Sequence, residues 1–182
     1  VILAILSVIT VVYLYTSDTF ILPENALHNG LFQAVSIGTT TGFTTAEYHI
    51  WPGFLPVLLL FASFIGGCAG STGGGMKVIR FLLLLKQGRR EIFRLIHPNA
   101  MVPIRVGDKV ISSGVIESVW GFFAAYVGVF VVMMLIMMMT GLDQISAFSA
   151  VAASLNNLGP GLGQVGSNYA DITDTAKWGL SF

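Results

Sequence analysis

The sequence predicts an all-α integral membrane protein built from repeated units. Each unit contains a span, a short half-helix, a polar glycine loop and a second span. Three observations predict this class. The 182 residues have a mean hydropathy of +0.80, and 10% of them are charged, against about 25% in soluble domains. Polar glycine loops at 36–45 and 155–163 interrupt apolar segments, and eight of the nine Lys and Arg residues lie between Lys77 and Lys109.

The distribution of charge sets the expected orientation in the bilayer. The region 77–109 is predicted to be cytoplasmic, and the connections at 17–51 and 140–176, which contain no Lys or Arg, to be external. The single cysteine, Cys68, excludes an internal disulfide. Residues 1–15 lack the charged n-region of a signal peptide, so we expect an internal piece of a longer membrane protein.

The first unit opens with the apolar segment 1–15. Pro23 and Glu24 then mark a helix start. The following segment, 26–37, would form a helix of about 18 Å, too short for a hydrocarbon core of about 30 Å. We expect a re-entrant half-helix that ends at Gly38 and directs its partly negative C-terminus at a cation. An ordinary external loop with an amphipathic helix is the alternative.

A glycine cluster follows the apolar run 54–65. Six of the ten residues in 66–75 are glycine, and glycine costs about 1 kcal/mol per residue in a helix interior relative to alanine. A straight helix over 54–96 would also be about 65 Å long. We therefore expect a Gly-broken second span, with a loop near the bilayer midplane that acts as a gate or is a passive kink. Lys77 below it is either a gate element or a snorkelling charge.

The second unit repeats this order. It has a span at 110–140, a half-helix at 144–155 with Asp143 as N-cap, the second polar loop and a final span that follows Lys177. An offset of 117 places Gly42 on Gly159. We divide the chain into repeats at 1–100 and 101–182, which are parallel repeats about an axis along the membrane normal.

Both polar loops are rich in oxygen ligands. Backbone carbonyls and threonine hydroxyls suit the replacement of an alkali cation's water shell, and the two glycines permit close approach of the backbone to an ion. Two such loops cannot surround an ion, whereas four can. The candidate filter residues are Thr39, Thr40, Thr41, Gly42, Asn156, Asn157, Leu158 and Gly159.

Three motifs in order resemble a known family. Thr39–Phe43, Gly66–Lys77 and Asn156–Gly163 are similar to motifs of the TrkH/TrkG/KtrB potassium-transporter family, and look most like its TrkH branch. The match corresponds to the third and fourth of four pore repeats, that is, to a C-terminal half. The resemblance implies a potassium-channel-like pore with filter glycines at Gly42 and Gly159. It also implies an intramembrane gate loop containing Gly66, Gly67, Cys68, Ala69, Gly70, Ser71, Thr72, Gly73, Gly74, Gly75 and Lys77.

The resemblance further implies the setting of the protein. It predicts potassium uptake by a multi-pass protein in the inner (plasma) membrane of a prokaryote. The expected partners are the remaining repeats, a second copy in a homodimer, the lipid bilayer and a cytosolic nucleotide-binding ring of the TrkA/KtrA type. Potassium is the transported ligand, and neither a cofactor nor nucleic acid is expected. The basic cytosolic hairpin, made of Arg89–Arg94 and the turn at 98–103, either follows the positive-inside rule alone or docks that ring.

Two other functional classes fit the sequence less well. A sodium- or proton-coupled symporter also uses broken helices, but usually keeps an ionisable residue at membrane depth, for which Glu117 is the acidic candidate. Enzymatic activity is not expected. Gly75-Met76-Lys77-Val78 fails the P-loop pattern, and Ser71 lacks a nearby histidine base, because His28 and His49 read as external and His97 as cytosolic.

Overall fold

The computed structural model describes residues 1–68, 70, 71, 73–98, 100, 102–166 and 168–181. Helices dominate this part of the chain. They are α1 (Ile2–Thr16), α2 (Pro23–Gly38), α3 (Leu55–Ile65), α4 (Val78–Ile96), α5 (Ser113–Met139), α6 (Gln144–Leu155) and α7 (Asp174–Leu180). A two-stranded antiparallel hairpin, β1 (Arg105–Val106) and β2 (Lys109–Val110), joins α4 to α5, and short 3₁₀ turns occupy Tyr48–Ile50 and Gly163–Val165.

The two short helices before the polar loops begin in different ways. Leu22, in extended conformation, precedes Pro23 at the first turn of α2, and no side chain caps this end. The carboxylate of Asp143 accepts hydrogen bonds from the backbone N–H groups of Ile145 (3.1 Å) and Ser146 (3.3 Å) at the start of α6. With 16 and 12 residues, both helices are too short to cross a core of about 30 Å.

Among the described residues, α5 is the one helix long and apolar enough to cross a membrane. It has 27 residues and a mean hydropathy of 2.5 over its most apolar window. The helices α1, α3 and α6 are apolar but shorter. The helix expected at 144–155 is found with the bounds Gln144–Leu155.

Regular helix stops at Ile65 and resumes at Val78. Between them, residues 66–77 form a loop whose ends are held together by backbone hydrogen bonds, from Met76 N–H to the Phe64 carbonyl (2.9 Å) and from Val78 N–H to the Gly67 carbonyl (3.2 Å). We call residues 66–77 the glycine loop. Ala69 and Thr72, which the sequence also assigns to it, lie outside the described residues.

The helix α3 lies between the two short helices. It contacts both α2 and α6, and one buried cluster contains Ile37 of α2, Leu59 of α3 and Ala153 of α6. Apart from Val151, the buried residues of α6 are alanine and serine, which let helices approach closely. This packing brings together the C-terminal ends of α2 and α6, and with them the two polar loops.

Two connections differ from the sequence interpretation. The turn expected at 98–103 is followed by a β-hairpin that was not predicted. It is stabilised by the bond from Ile111 N–H to the Ile104 carbonyl (2.9 Å) and by Gly107 in a left-handed conformation. The last helix begins at Asp174, before the expected Lys177, because the Thr173 hydroxyl accepts a hydrogen bond from Ala176 N–H (3.4 Å) and caps it.

Candidate ion site

The loop after α2 begins with a defined helix end. Thr40 N–H donates to the carbonyl of Ile37 (3.1 Å), and Thr41 N–H donates to that of Ser36 (2.8 Å). This is the hydrogen-bond pair of a Schellman motif. Thr40 has φ +57° and Gly42 has φ +81°. The backbone therefore takes the left-handed region at two of the three positions that follow Thr39.

The loop after α6 has the same backbone pattern. Asn157 N–H donates to the carbonyl of Ser154 (3.1 Å), and Leu158 N–H to that of Ala153 (2.8 Å). Asn157 has φ +51° and Gly159 has φ +96°. Each of these residues lies 117 positions after its counterpart in the first loop. We call residues 39–43 and 156–160 the first and second filter loops, after the role that the sequence predicts for them.

The carbonyl groups of both loops are mostly unpaired. Those of Thr39 to Gly42 and of Asn156 to Leu158 accept no hydrogen bond from any described residue. The Phe43 carbonyl is different, because the Ser36 hydroxyl donates to it (2.6 Å). Backbone carbonyls away from water are normally paired, so these oxygens are available to a cation or to water.

The two loops touch at a point where only glycine fits. A Cβ atom on Gly42 would lie 1.9 Å from the carbonyl oxygen and 3.1 Å from the carbonyl carbon of Leu158. Any side chain at Gly42 would collide with an unpaired oxygen of the second loop, besides being strained by the positive φ. The conformation of one filter loop is thus tied to the position of the other.

Asn156 is fixed by a buried hydrogen-bond network. Its side-chain N–H group donates to the Ser63 hydroxyl (2.9 Å), and its side-chain oxygen accepts from the Tyr126 hydroxyl (2.6 Å). The Ser63 hydroxyl in turn donates to the Leu60 carbonyl (2.6 Å). Because the Asn156 side chain is engaged and fully buried, its backbone carbonyl is the group that remains for an ion.

Two further tyrosine hydroxyls hold the end of the second loop. Tyr48 donates to the carbonyl of Gly161 (2.8 Å) and lies 3.2 Å from that of Pro160. Tyr169 donates to the Gly159 carbonyl (2.7 Å). One lone pair of the Gly159 oxygen is therefore already used, which distinguishes Gly159 from the other predicted ligands of this loop.

The glycine loop lies against both filter loops. Gly74 N–H donates to the Thr40 hydroxyl (3.0 Å), and a Cβ atom on Gly74 would lie 1.7 Å from the Asn156 carbonyl oxygen. A Cβ atom on Gly73 would lie 3.0 Å from the Thr40 hydroxyl oxygen, whereas one on Gly70 would meet nothing within 4 Å. Contact with the filter is therefore made by Gly73 and Gly74.

The side chain of Lys77 bridges two carbonyl groups of the glycine loop. Its ammonium group donates to the carbonyls of Ser71 and Gly73, and its own backbone has φ +69°. The glycines at the two ends of the loop, Gly66 and Gly75, also have positive φ. A Cβ atom on Gly66 would lie 2.3 Å from the Gly74 carbonyl oxygen, so the chain doubles back here too closely for any side chain.

All three motifs line one cavity of about 580 Å³. Its walls include threonines of the first filter loop, Asn157 of the second, and Cys68, Ser71, Gly73 and Gly74 of the glycine loop. The walls include uncharged oxygens, hydroxyls and one thiol. Glu117, the candidate for ion coupling, is exposed on α5 and does not line this cavity.

Comparison with known proteins identifies the family. The family model described as TrkH, a cation transport protein, matches residues 1–182. The chain belongs to the TrkH family. It is a membrane protein, and the family is one of transport proteins, in agreement with the expectation that it is not an enzyme.

Relatives within and beside the TrkH branch were found. The chain is 62% identical over 158 residues to the Trk system potassium uptake protein TrkH of Vibrio parahaemolyticus, covering 87% of this chain and 33% of the relative. It is 42% identical over 149 residues to TrkG of Escherichia coli, covering 82% and 31%. The higher identity to TrkH confirms the branch suggested by the motifs. The chain spans about one third of the length of these curated relatives.

A solved structure resembles the chain closely. The crystal structure of the potassium transporter TrkH from Vibrio parahaemolyticus superimposes with a TM-score of 0.91 at 56% identity. The match covers 98% of this chain and 38% of that one. The all-α membrane class predicted from the sequence is thus confirmed, and this TrkH-family chain shares the fold of the corresponding part of a transporter.

Sequence reasoning did not find the groups that support the filter loops of this TrkH-family chain. Ser63, Tyr48, Tyr126 and Tyr169 lie on other elements and reach the second loop only through the packing of the chain. A single sequence carries no signal that pairs Tyr126 with Asn156, 30 residues away. Tyrosine hydroxyls do need partners when they are buried, which is the one general indication available.

Proposed function

We propose that the chain supplies two of the ion-coordinating units of a potassium-uptake pore. In this proposal, carbonyl oxygens of Thr39–Gly42 and Asn156–Gly159 replace the water shell of the ion. The names of the TrkH and TrkG relatives support potassium as the transported ion. The observation that carries the proposal is the row of unpaired carbonyls on two equivalent loops that touch at Gly42 and Leu158.

The short helices add to the attraction for a cation. α2 and α6 both end at the filter loops, and a helix C-terminus carries about half a negative charge. The cavity beneath the loops has no acidic group among its described lining residues. Coordination by dipoles, with no fixed negative charge, favours release of the ion as well as binding, which suits permeation better than storage.

The glycine loop is proposed to open and close the path below the filter. Support comes from its position against Thr40 and Asn156, and from its low helical propensity. A segment of this kind can take two arrangements of similar energy. In the arrangement described here, Lys77 holds the loop together through Ser71 and Gly73. Ala69 and Thr72 are included in the gate on sequence grounds alone.

The proposed architecture contains more units than this chain has. Residues 1–100 and 101–182 are the third and fourth repeats, with 66–77 as the break in a membrane span. The 117-residue offset between loops of the same backbone conformation supports this division. The other repeats belong to the same polypeptide, a multi-pass protein of a prokaryotic inner membrane. A homodimer and a cytosolic nucleotide-binding ring of the TrkA/KtrA type complete the assembly.

The ion site is tested by uptake of rubidium and sodium into liposomes that contain the full-length parent protein. Gly42→Ser places a side chain where the Leu158 carbonyl oxygen lies, so we expect it to remove the preference for rubidium. Gly128→Ser is the matched control, because a Cβ atom at this α5 position meets nothing within 4 Å.

The proposal requires that the wild type transports rubidium well above sodium without a gradient of a second ion, and that Gly128→Ser keeps this preference. If uptake depends on a sodium or proton gradient while Gly42→Ser leaves the preference unchanged, the filter assignment is wrong. A coupled symporter then takes its place.

A further inference from the structure

A second cavity lies at the other end of α4, away from the filter. It has a volume of about 420 Å³ and lies between the C-terminal half of α4 and the segment that leads into β1. We call it the basic pocket. Its wall contains four cationic side chains, Lys86, Arg89, Arg90 and Arg105, while Phe93 and Ile104 contribute apolar surface.

The positive charge of the basic pocket is only partly compensated. Glu91 forms ion pairs with Arg90 and Arg94, with its Oε1 atom 3.5 Å from Arg90 Nε and 3.6 Å from Arg94 Nη1. Lys86, Arg89 and Arg105 have no acidic partner within 4.0 Å among the described residues. Lys86 is exposed, and its ammonium group donates to the Arg105 carbonyl.

One donor inside this region also lacks a partner. Arg90 Nε is buried and makes no hydrogen bond to any described residue, since the Glu91 oxygen at 3.5 Å does not meet hydrogen-bond geometry. Buried donors without acceptors are costly. The other donors of the three arginines in the pocket wall remain for an anion, and arginine is the side chain best suited to phosphate because of its fork of donors.

The position of the basic pocket along α4 matches the surface of a bilayer. α4 begins at Val78, directly after the glycine loop, which the sequence predicts to lie near the bilayer midplane. At about 1.5 Å per residue, Lys86 and Arg90 lie about 12 and 18 Å further along the helix. Half of a hydrocarbon core is about 15 Å, so these two cations lie on either side of the boundary between the core and the headgroups.

Exposed apolar side chains continue from the basic pocket toward the bilayer. Leu85 and Leu82 are exposed, and they precede Arg89 and Lys86 by one turn, on the same face of α4. A free phosphate or nucleotide would use the cations and leave these leucines uncovered. A phospholipid would use both, because its acyl chains run from the headgroup along the helix.

We propose that the basic pocket binds the phosphate headgroup of an anionic phospholipid of the cytoplasmic leaflet, with its acyl chains along Leu82 and Leu85. Basic pockets on the cytoplasmic side of membrane proteins commonly bind such headgroups. The depth argument rests on the proposed pore architecture, whereas the charges and the cavity do not.

The test measures lipid binding to the full-length parent in detergent by native mass spectrometry and thermal unfolding. Phosphatidylglycerol is compared with phosphatidylcholine and with inorganic phosphate. We expect phosphatidylglycerol to bind and to raise the unfolding temperature, and the other two to have little effect. Arg89→Gln with Arg105→Gln should weaken phosphatidylglycerol at least about tenfold, as expected for the loss of charge-assisted hydrogen bonds.

The control removes the same charge elsewhere. Arg94→Gln with Lys109→Gln alters two cations outside the pocket wall and should leave binding unchanged. Arg89 and Arg105 are both exposed, so their replacement is compatible with folding, and Arg89→Gln alone gives the smaller version of the test.

Several results would overturn the proposal. If Arg94→Gln with Lys109→Gln weakens phosphatidylglycerol binding as much as the pocket variant does, the attraction is a diffuse effect of positive charge. If phosphatidylcholine binds as tightly as phosphatidylglycerol, the contact is with lipids in general. Equal stabilisation by inorganic phosphate would mean a free-anion site. If the variant with Arg89→Gln and Arg105→Gln binds phosphatidylglycerol as tightly as the wild type, the basic pocket is not the binding site. Gly42→Ser should bind lipid normally, so this proposal and that of the ion site fail separately.

Discussion

The two filter loops have the same backbone and different means of support. Both carry a Schellman helix end followed by a left-handed glycine. The first loop is held largely by its own hydroxyls, with Thr39 and Thr41 in contact at 2.8 Å. The second is held from outside, by Ser63 of α3, Tyr126 of α5 and Tyr169 of the last connection.

This difference shows why the two sequences need not be alike. Threonine at position 40 takes a left-handed conformation that costs roughly 1–2 kcal/mol for most residues, and its hydroxyl is positioned to accept from Gly74 N–H. At the equivalent position the second loop has Asn157, which tolerates this conformation better. The first loop therefore gains a hydrogen bond from the glycine loop, whereas the second, which the glycine loop touches without a hydrogen bond, depends on the packing of α3 and α5.

The largest expected effect comes from the contact between the glycine loop and the second filter loop. Gly74→Ala would place a methyl group 1.7 Å from the Asn156 carbonyl oxygen. Asn156 is fixed by Ser63 and Tyr126, so the glycine loop is the part that moves. We expect rubidium uptake by the full-length parent to rise several-fold, with the rubidium-to-sodium ratio unchanged.

Two matched glycine variants sharpen this comparison. Gly73→Ala meets the Thr40 hydroxyl oxygen at 3.0 Å and should have a smaller effect, while Gly70→Ala meets nothing within 4 Å and should behave as wild type. If Gly74→Ala loses its preference for rubidium over sodium while total uptake is unchanged, the second filter loop moves and the glycine loop does not. The glycine loop would then be a structural support and not a gate.

The next prediction compares the support of the second filter loop by other elements with the support of the first loop by its own hydroxyls. Tyr126→Phe leaves the buried side-chain oxygen of Asn156 without its donor, which costs about 1–3 kcal/mol. Thr41→Val removes the hydroxyl contact with Thr39 at an exposed position and should cost less. Thermal unfolding of the full-length parent measures both. A larger loss in Thr41→Val would show that the first loop is the more constrained of the two.

The sequence predicted the fold and the loop positions better than it predicted their surroundings. Hydropathy, glycine content and half-helix length are local properties, and they located the helix 144–155 and the end of helical structure before Gly66. The contact of Gly42 with Leu158, and of Tyr126 with Asn156, depends on how α3 packs between α2 and α6. No local pattern reports this packing, and the short hairpin at 105–110 had no strong strand signal.

The smallest expected effect concerns the starts of the two short helices. α2 has no side-chain cap, whereas Asp143 caps α6 and its pKa is lowered by hydrogen bonds from the side chain and backbone of Ser146, with a further contribution from Ile145 N–H. A lowered folded-state pKa means that this cap stabilises α6 above the ordinary aspartate pKa of about 4, and that the stabilisation is lost as pH falls through the lower, folded value.

Hydrogen exchange at the first amides of α6 tests this prediction. Acidification from pH 6 to pH 3 should reduce their protection, after correction for intrinsic rates, by no more than the roughly 0.5–2 kcal/mol of an N-cap. Asp143→Asn keeps a capping oxygen that does not titrate in this range, and should show no such loss. Equal loss in both proteins would place the acid sensitivity elsewhere. The charge of the Asp143 carboxylate would then contribute nothing to the stability of the start of α6.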